Sequence, residues 1–181
     1  MNAQSLFEFD FRSHKGQIRA MREEDVPKLV AYWHESSPDY LVQMGVDLTK
    51  LSSREATERK FLGAIAGDGP RKHVAMVVEL DGRLIAYTNA YVDDEQTGYP
   101  HVHVLDPELR RHGLARQLFA TVIRLYFEHY KLRKLILQTN PENVGVNAML
   151  QSFGHEPRQL QDDNPSGMAR AGLFNVYEIT P

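Results

Sequence analysis

Two arginines, a histidine and a glycine follow one another between a predicted strand and a predicted helix, in the stretch LDPELRRHGLARQLF over residues 105–119. The first turn of a helix leaves backbone N–H groups unpaired, and these groups carry a partial positive charge. Gly113 lets the phosphates of a ligand approach the backbone, and Ala115 keeps the second position small. Arg110 and Arg111 add positive charge at the rim. The stretch is therefore suited to bind a pyrophosphate.

The local charge agrees with an anion site. Residues 106–134 carry seven basic and three acidic side chains, a net charge of +4, whereas the whole chain has a net charge of −3. The alternative is that Gly113 is only a turn residue and the arginines are only solvated, because short glycine motifs also occur without function. The stretch lacks Gly-Lys-Ser/Thr, so it is not a Walker A loop.

Histidines alternate with valines in the predicted strand that precedes this stretch, Tyr99–Leu105. His101 and His103 face one side of the strand, and Val102 and Val104 face the other. No carboxylate spacing accompanies the two histidines, so the sequence predicts no metal site.

The elements that position these residues follow from hydrophobic periodicity. Strands are predicted at 17–21, 73–80, 83–92, 99–105, 134–138, 155–160 and 174–179. One helix is predicted to begin within residues 23–25 and to end at 35, and further helices are predicted at 53–66, 113–130 and 143–152. Asp81-Gly82 is a hairpin signal, the alternating Phe7, Phe9 and Phe11 permit a further short strand, and residues 38–51 are expected to be irregular. This order predicts a mixed α/β (α+β) domain around one central sheet, and the meander over 73–105 argues against a doubly wound dinucleotide fold.

Composition excludes several classes of protein. The 181 residues, 42% hydrophobic and 25% charged, fit one globular domain, which we place at 16–181 after an N-terminal arm over 1–15. The chain has no cysteine, so disulfide scaffolds, thiolate metal sites and cysteine nucleophiles are excluded. The net charge makes nucleic acid an unsuitable partner. Because no signal peptide or long apolar run is present, we expect a cytoplasmic protein without a membrane contact.

The chain resembles the GNAT superfamily of N-acetyltransferases over about residues 16–180. Arg-Arg-His-Gly-Leu-Ala at 110–115 matches the Gln/Arg-x-x-Gly-x-Gly/Ala signature. VVELDGRLIAYTNAYV at 77–92 is similar to the second and third strands of the family, and LILQTNPENVGVNAMLQSFGHEP at 135–157 resembles its fifth strand and the following short helix. The resemblance implies a twisted, mostly antiparallel sheet of about seven strands flanked by about four helices, splayed between strands four and five.

The resemblance also implies acetyl-CoA as the acyl donor, and no metal. Backbone amides from Arg111 to Ala115 would hold the pyrophosphate, and the pantetheine arm would pair with the end of the fourth strand. Asn143 would contact the cofactor, cap the 143–152 helix, or do both. The cofactor-binding residues implied in this way are Val104, Leu105, Arg110, Arg111, His112, Gly113, Leu114, Ala115, Arg116 and Asn143.

Catalysis would need a base, an oxyanion donor and an acid. The family's base aligns near Tyr99, which is not a carboxylate. We therefore predict His101 as the base, directly or through water, with Tyr99 second and His103 third; the alternative is that His101 is a packed strand residue. A backbone N–H near Val104 would bind the oxyanion. The family's acidic tyrosine aligns with Leu150 and is missing, although a thiolate can leave unaided.

The resemblance implies an enzyme that moves an acetyl group from acetyl-CoA to an amine, and we predict a primary amine of a small molecule as the acceptor. The acceptor would lie between the first helices (Trp33 to Leu51) and the last two strands with the loop over 161–173. Tyr32, Trp33, Tyr40 and Met44 would line an apolar wall or pack in the core. The acidic loop over 93–95 (Asp93, Asp94 and Glu95) would attract a cationic amine or be solvated.

Other functions remain open at this point. A protein N-acetyltransferase is an alternative within the same class. A non-catalytic acyl-CoA-binding regulatory module fits the missing tyrosine and carboxylate, and a plain globular domain would bind nothing at Gly113. A homodimer is a further possibility, formed edge to edge by the N-terminal arm or by the last strands.

Overall fold

The computed structural model describes residues 5–67, 72–110, 112–165 and 167–181, which form an eight-stranded sheet and five α-helices. The strands are β1 (Ser5–Phe11), β2 (His14–Ala20), β3 (Lys72–Leu80), β4 (Arg83–Val92), β5 (Thr97–Val104), β6 (Lys134–Thr139), β7 (Arg158–Asp162) and β8 (Gly172–Ile179). The helices are α1 (Val26–Glu35), α2 (Pro38–Gln43), α3 (Arg54–Ala66), α4 (Leu114–Glu128) and α5 (Val144–Ser152).

The strands lie in the order β1-β2-β3-β4-β5-β6-β8-β7. All neighbouring pairs are antiparallel except β5 and β6, which are parallel and joined through α4. Asp81 and Gly82 form the predicted turn between β3 and β4. The predicted mixed α/β fold with a mostly antiparallel central sheet is confirmed.

The N-terminal segment adds one strand to the sheet expected from sequence. β1 and β2 form an antiparallel hairpin at one edge, and β7 lies at the other edge. Phe11 is buried, while Phe7 and Phe9 pack against the core from partly buried positions. The division into an arm over 1–15 and a domain over 16–181 stays a prediction, as does edge-to-edge dimerisation; residues 5–11 and 14–15 pair within the sheet.

Residues 38–51 are more ordered than we expected. Ser37 accepts a hydrogen bond from the N–H of Tyr40, and Pro38 lies in the first turn of α2. A short 3-10 helix follows at Leu48–Lys50. These local caps explain a six-residue helix that the weak periodicity of this segment did not indicate.

Two hydrophobic cores lie on opposite faces of the sheet. On one face α4 and α5 bury an apolar cluster that includes Leu118, Tyr126 and Leu150. On the other face α1, α2 and α3 cover a second cluster that includes Leu29, Trp33 and Tyr87. In the described part of the chain, no helix has both the length and the apolarity needed to cross a bilayer.

A buried ion-pair network joins β2, β3 and the start of α1. Arg19, only 3% exposed, donates to both carboxylate oxygens of Asp25 at 2.8 Å and also binds Glu79 on β3. These carboxylates hold the pKa of Arg19 above its usual range. Asp25 also accepts the N–H of Arg22, so one carboxylate fixes both the strand and the helix start.

Replacing Asp25 should destabilise the fold strongly, because Asp25→Ala leaves a buried guanidinium with one carboxylate. We expect a loss of about 3 kcal/mol in the free energy of unfolding, measured by urea denaturation. Glu24→Ala is the matched control, since Glu24 forms only an exposed pair with Arg22 and should contribute less than about 1 kcal/mol. Equal losses in the two variants would contradict the role assigned to the network.

Candidate functional site

The sheet opens between β5 and β6. In the described chain these strands pair only at Thr97 with Lys134 and at Gly98 with Leu135. They approach closely there because Gly98 has no side chain: a Cβ at this position would lie 2.6 Å from Leu132 Cδ1 and 2.9 Å from Leu135 Cδ2. Beyond this point the strands separate, so the predicted splay is confirmed; β1 shifts the strand numbers by one.

The free edge of β5 presents backbone groups to this opening. In an antiparallel pair, the backbone groups of alternate residues point toward the partner strand and the others point away. Leu105 donates its N–H to the carbonyl of Ile85 at 2.8 Å, so the odd-numbered residues of β5 face β4. The N–H groups of Val102 and Val104 therefore point into the opening. A ligand lying there can pair with them as an added strand.

Helix α4 begins with an open N-terminus. Gly113 precedes it with a φ of +86°, a conformation that favours glycine, and the helix has no side-chain cap. The N–H of Gln117 bonds back to the Gly113 carbonyl at 2.9 Å, so the amides of Leu114, Ala115 and Arg116 begin the helix without helical acceptors. Apart from Gly113 and its two chain neighbours, no described residue has an atom within 4 Å of the place a Gly113 Cβ would occupy. This geometry can hold a pyrophosphate.

Arg110 does not lie against the start of α4. Its Nε donates to the carbonyl oxygen of Val104 at 3.0 Å, and its Nη2 donates to that of Leu105 at 3.3 Å. The guanidinium lies 3.9 Å above the ring of Tyr40 on α2. Arg110 thus occupies the sheet face covered by α1 and α2, and its contact with the cofactor stays a prediction.

Two leucines that we predicted to bind the cofactor have side chains that pack in the hydrophobic cores. Leu105 and Leu114 are 9% and 2% exposed and belong to the cores on opposite faces of the sheet. The N–H of Leu105 is bonded to Ile85, so it is not available to a pantetheine arm. The N–H of Leu114 points out of the start of α4 and is available.

The side chain of Arg116 contacts residues at the end of α5. Its Nη1 donates to Ser152 Oγ at 2.7 Å, and its guanidinium lies 5.4 Å from the ring centre of Phe153. His112 is exposed beside Gly113. Arg111 lies outside the described residues, so its predicted role is carried forward only as a prediction.

A buried asparagine shapes the turn between β6 and α5. Asn147 Oδ1 accepts hydrogen bonds from Thr139 at 2.6 Å and Tyr177 at 2.8 Å, and its Nδ2 donates to the carbonyl of Asn140 at 2.9 Å. Sequence reasoning missed this residue, although a polar side chain between apolar positions of an amphipathic helix was the available signal. Asn143 caps α5, because its Oδ1 accepts a hydrogen bond from the N–H of Val146 at 3.5 Å. The sequence had offered this cap beside a cofactor contact, and the cofactor contact stays a prediction.

The first candidate base, His101, lies on the α1–α2 face of β5. The residue as a whole is exposed, and no hydrogen bond of its ring to a described residue is defined. The protein atoms packed around the ring lower its pKa below 6.5, and His73 lowers it further. His101 is therefore neutral at pH 7 and can accept a proton.

The second candidate, Tyr99, is both stacked and hydrogen-bonded. Its ring stacks on Tyr91 at 4.5 Å, and its hydroxyl donates to Asp93 Oδ2 at 3.3 Å. Burial and the charge of Asp93 raise its pKa, so the hydroxyl stays protonated and is a poor base. Asp93 also accepts the N–H groups of Glu95 and Thr97, so its carboxylate forms the turn before β5.

The third candidate, His103, is enclosed by aromatic rings. It stacks on Tyr87 with 4.9 Å between ring centres and meets the edge of Trp33, also at 4.9 Å. Its Nδ1 lies 3.2 Å from the hydroxyl of Tyr32. Burial, followed by the nearby His101, lowers its pKa to about 3. His103 is consequently a neutral packing residue and a weak base.

The four residues of the predicted apolar wall differ in burial. Tyr32 and Trp33 are each 6% exposed and belong to the core. Tyr40 and Met44 are half-buried, and both contact the Tyr32 hydroxyl, at 3.2 Å and 3.4 Å. Tyr40 and Met44 are therefore the members that a ligand could contact.

The two segments predicted to flank the acceptor are joined to each other. Val46 pairs with Ala169, and the N–H of Asp47 bonds to the Met168 carbonyl at 2.7 Å. Lys50 Nζ donates to the Ala169 carbonyl at 3.1 Å. The segment after α2 and the loop between β7 and β8 are thus bonded to each other.

The comparison with protein families decides the identity. A family model described as the acetyltransferase (GNAT) family matches residues 19–155, more than half of the chain. The chain belongs to the acetyltransferase (GNAT) family. It is therefore an acyltransferase, and the open strand edge and the start of α4 lie within the matched residues. No curated protein sequence matches this acetyltransferase significantly.

Solved structures share the fold of this acetyltransferase at low sequence identity. RimL, a ribosomal L7/L12 alpha-N-protein acetyltransferase in complex with coenzyme A, has a TM-score of 0.73 and 13% identity, with 96% of this chain and 98% of that chain covered. Mycobacterium smegmatis RimJ with CoA-disulfide has a TM-score of 0.75 and 15% identity, with 99% and 88% covered. A dodecameric spermidine N-acetyltransferase from Vibrio cholerae has a TM-score of 0.69 and 16% identity, with 91% and 93% covered.

The enclosure of His103 predicts how stability depends on pH. Below pH 6.5 the unfolded chain protonates this histidine, while the folded chain keeps it neutral down to about pH 3. Stability should therefore be complete above pH 6.5 and fall as the pH drops toward 3. His103→Phe keeps an aromatic ring and should reduce the slope by one proton, about 1.4 kcal/mol per pH unit.

This slope can be measured by urea denaturation between pH 7.5 and 5, with the fluorescence of the sole tryptophan, Trp33, as the signal. His129→Phe, at an exposed position after α4, is the control and should keep the wild-type slope. An unchanged slope in His103→Phe would refute the assignment of a neutral, enclosed His103.

Proposed function

We propose that this acetyltransferase transfers the acetyl group of acetyl-CoA to a primary amine of a small molecule. The observation that carries the proposal is the juxtaposition, within the family domain, of an unpaired β5 edge and an uncapped α4 N-terminus. The first can pair with an extended amide-bearing arm, and the second can bind a pyrophosphate. Acetyl-CoA contains both groups.

The backbone and side chains divide the chemistry between them. Acetyl-CoA supplies a thioester whose acyl carbon is attacked by the amine. The Val104 N–H, which points into the opening, donates to the carbonyl oxygen, where negative charge develops. His101 takes the amine proton directly or through one water.

The departing thiolate carries away the electron pair of the carbon–sulfur bond, and it needs no obligatory acid because its pKa is about 8–9. Leu150, at the position of the family's tyrosine, is 0% exposed and packs in the core, so it supplies no proton. The proposed mechanism therefore depends more on the base and the oxyanion donor than on an acid.

The size of the acceptor is the part of the proposal that substrate screening must decide. The contacts of Val46 with Ala169 and of Asp47 with Met168 join the two segments between which we place the acceptor. Acetylation of a protein amine in preference to any small amine would assign the enzyme to the alternative class.

Cofactor binding can be tested at Gly113 with two variants of equal size. Asn and Asp both tolerate positive φ better than most residues, but only Asp places a negative charge beside the pyrophosphate. By calorimetry, Gly113→Asp should bind acetyl-CoA at least about tenfold more weakly than Gly113→Asn. Circular dichroism should show both variants folded. Absence of binding to the wild type, or equal affinity of the variants, would contradict the proposed cradle.

The role of His101 can be tested by the pH dependence of turnover. Because its pKa is lowered from 6.5, wild-type activity should persist through pH 6.5 and fall only at more acidic pH. His101→Gln should lower kcat by about 100-fold or more and remove this acidic limb. His129→Gln, an exposed control, should preserve both. Acetyl-CoA binding without turnover of any amine would instead favour the regulatory-module alternative.

A further inference from the structure

Arg110 is partly buried, whereas the other described arginines for which no ion pair is defined, Arg12, Arg59, Arg116, Arg133, Arg158 and Arg170, are exposed. The five arginines in ion pairs each contact a carboxylate: Arg19, Arg22, Arg54, Arg83 and Arg124. Within the described chain, Arg110 instead contacts two carbonyl oxygens and an aromatic ring. Its partly buried charge is therefore not neutralised by the described residues.

The guanidinium is held in a fixed plane and keeps donors free. It uses Nε and one Nη2 donor on the carbonyls of Val104 and Leu105, and its plane is supported by Tyr40 at 3.9 Å. Arginine has five N–H donors arranged as a fork, so the remaining donors, including both on Nη1, have no partner among the described residues. A planar fork with free donors matches the two oxygens of a carboxylate or phosphate.

The guanidinium lies on the acceptor side of the reacting atoms. Its support, Tyr40, is joined through the Tyr32 hydroxyl to His103 on β5, in two steps of 3.2 Å each. Arg110 is also bonded to the carbonyl of Val104, whose N–H is the proposed oxyanion donor. An anion bound to Arg110 would thus lie only a few bonds from an amine that attacks at Val104.

Charged side chains of both signs lie where the segment after α2 meets the loop between β7 and β8. Lys50 is bound to two carbonyl oxygens of that loop, and Arg170 lies beside a groove of about 470 Å³ that Asp47 and Thr49 also line. Hydrogen bonds from Thr49 lower the pKa of the Asp47 carboxyl, and the charges of Lys50 and Arg170 lower it further. These two cations therefore act on a carboxylate of the protein, and the proposed anion site depends on Arg110 itself.

We propose that Arg110 is a specificity-determining residue that binds an oxyanion, a carboxylate or a phosphate, on the same small molecule that presents the amine. This inference rests on the proposed function and narrows its substrate class to amines that carry an anionic group a few bonds away. It moves the side chain of Arg110 from the cofactor, where the signature motif placed it, to the acceptor.

Matched acceptors test this proposal. The set pairs an α-amino acid with its carboxamide, and an aminoalkyl phosphate with the corresponding amino alcohol, all at saturating acetyl-CoA. The wild type should show at least about tenfold higher kcat/KM for the anionic member of one pair. Whichever pair is discriminated identifies the oxyanion as a carboxylate or a phosphate. Equal kcat/KM within both pairs would overturn the proposal.

Three variants assign that preference to Arg110. Arg110→Met keeps the apolar stem without the charge, and it should abolish the preference through the KM of the anionic acceptor, with the Kd of acetyl-CoA unchanged within about twofold. Arg110→Lys keeps the charge without the fork and should retain part of the preference. Arg124→Met, an exposed control, should retain all of it. If Arg110→Met raised the Kd of acetyl-CoA by the same factor as the KM of the acceptor, Arg110 would be assigned to the cofactor site instead.

Binding measurements separate the failure of this inference from the failure of the proposed function. If no amine of the set is acetylated, the proposed function fails for small amines, and the inference is judged by Trp33 fluorescence titrations with the same pairs. Trp33 contacts His103 and is therefore a local reporter. Binding of an anionic member that is lost in Arg110→Met and weakened in Arg110→Lys would sustain the inference, and absence of such binding to the wild type would overturn it.

Discussion

The divergence of β5 and β6 is the constraint on which the site depends. A sheet normally satisfies the backbone groups of its inner strands, and leaving them unpaired is costly where water is excluded. Here Gly98 permits a tight contact with Leu132 and Leu135 at one end, and the strands separate at the other. The opening therefore exposes the edge of a central strand, where a ligand can complete the pairing without opening the sheet.

The other parts of the molecule hold this opening in shape from both faces. Helix α4 crosses from β5 to β6 and brings its N-terminus to one face, while Asn147 fixes the turn that leaves β6. On the opposite face the Arg19–Asp25 pair ties the start of α1 to the sheet. The aromatic enclosure of His103 then anchors α1 to β5 itself. The proposed cofactor and acceptor sides would thus be built by different helices on one strand.

Sequence patterns predicted the architecture more completely than they predicted the chemistry. The periodic elements, the turn at Asp81-Gly82 and the fold class were all readable, because each depends on local preference or on one buried face. The edge strand β1 and helix α2 were underestimated, since they rest on pairing and on a short capped turn. The surroundings of Tyr99 and His103 could not be read from the sequence, because Tyr91, Trp33 and Tyr87 meet these side chains only in the folded chain; their place as second and third candidate bases stays a prediction.

The sequence by itself determined which backbone could bind an anion and which family the motif resembles, because Gly113 and its neighbours act through local backbone geometry. Only the tertiary structure decided where the side chains of the same stretch point. Arg110 is three residues from Gly113, yet its guanidinium lies on Tyr40 of α2, on the opposite side of the strand. A long side chain is placed by partners remote in sequence, and those partners are brought together only by folding.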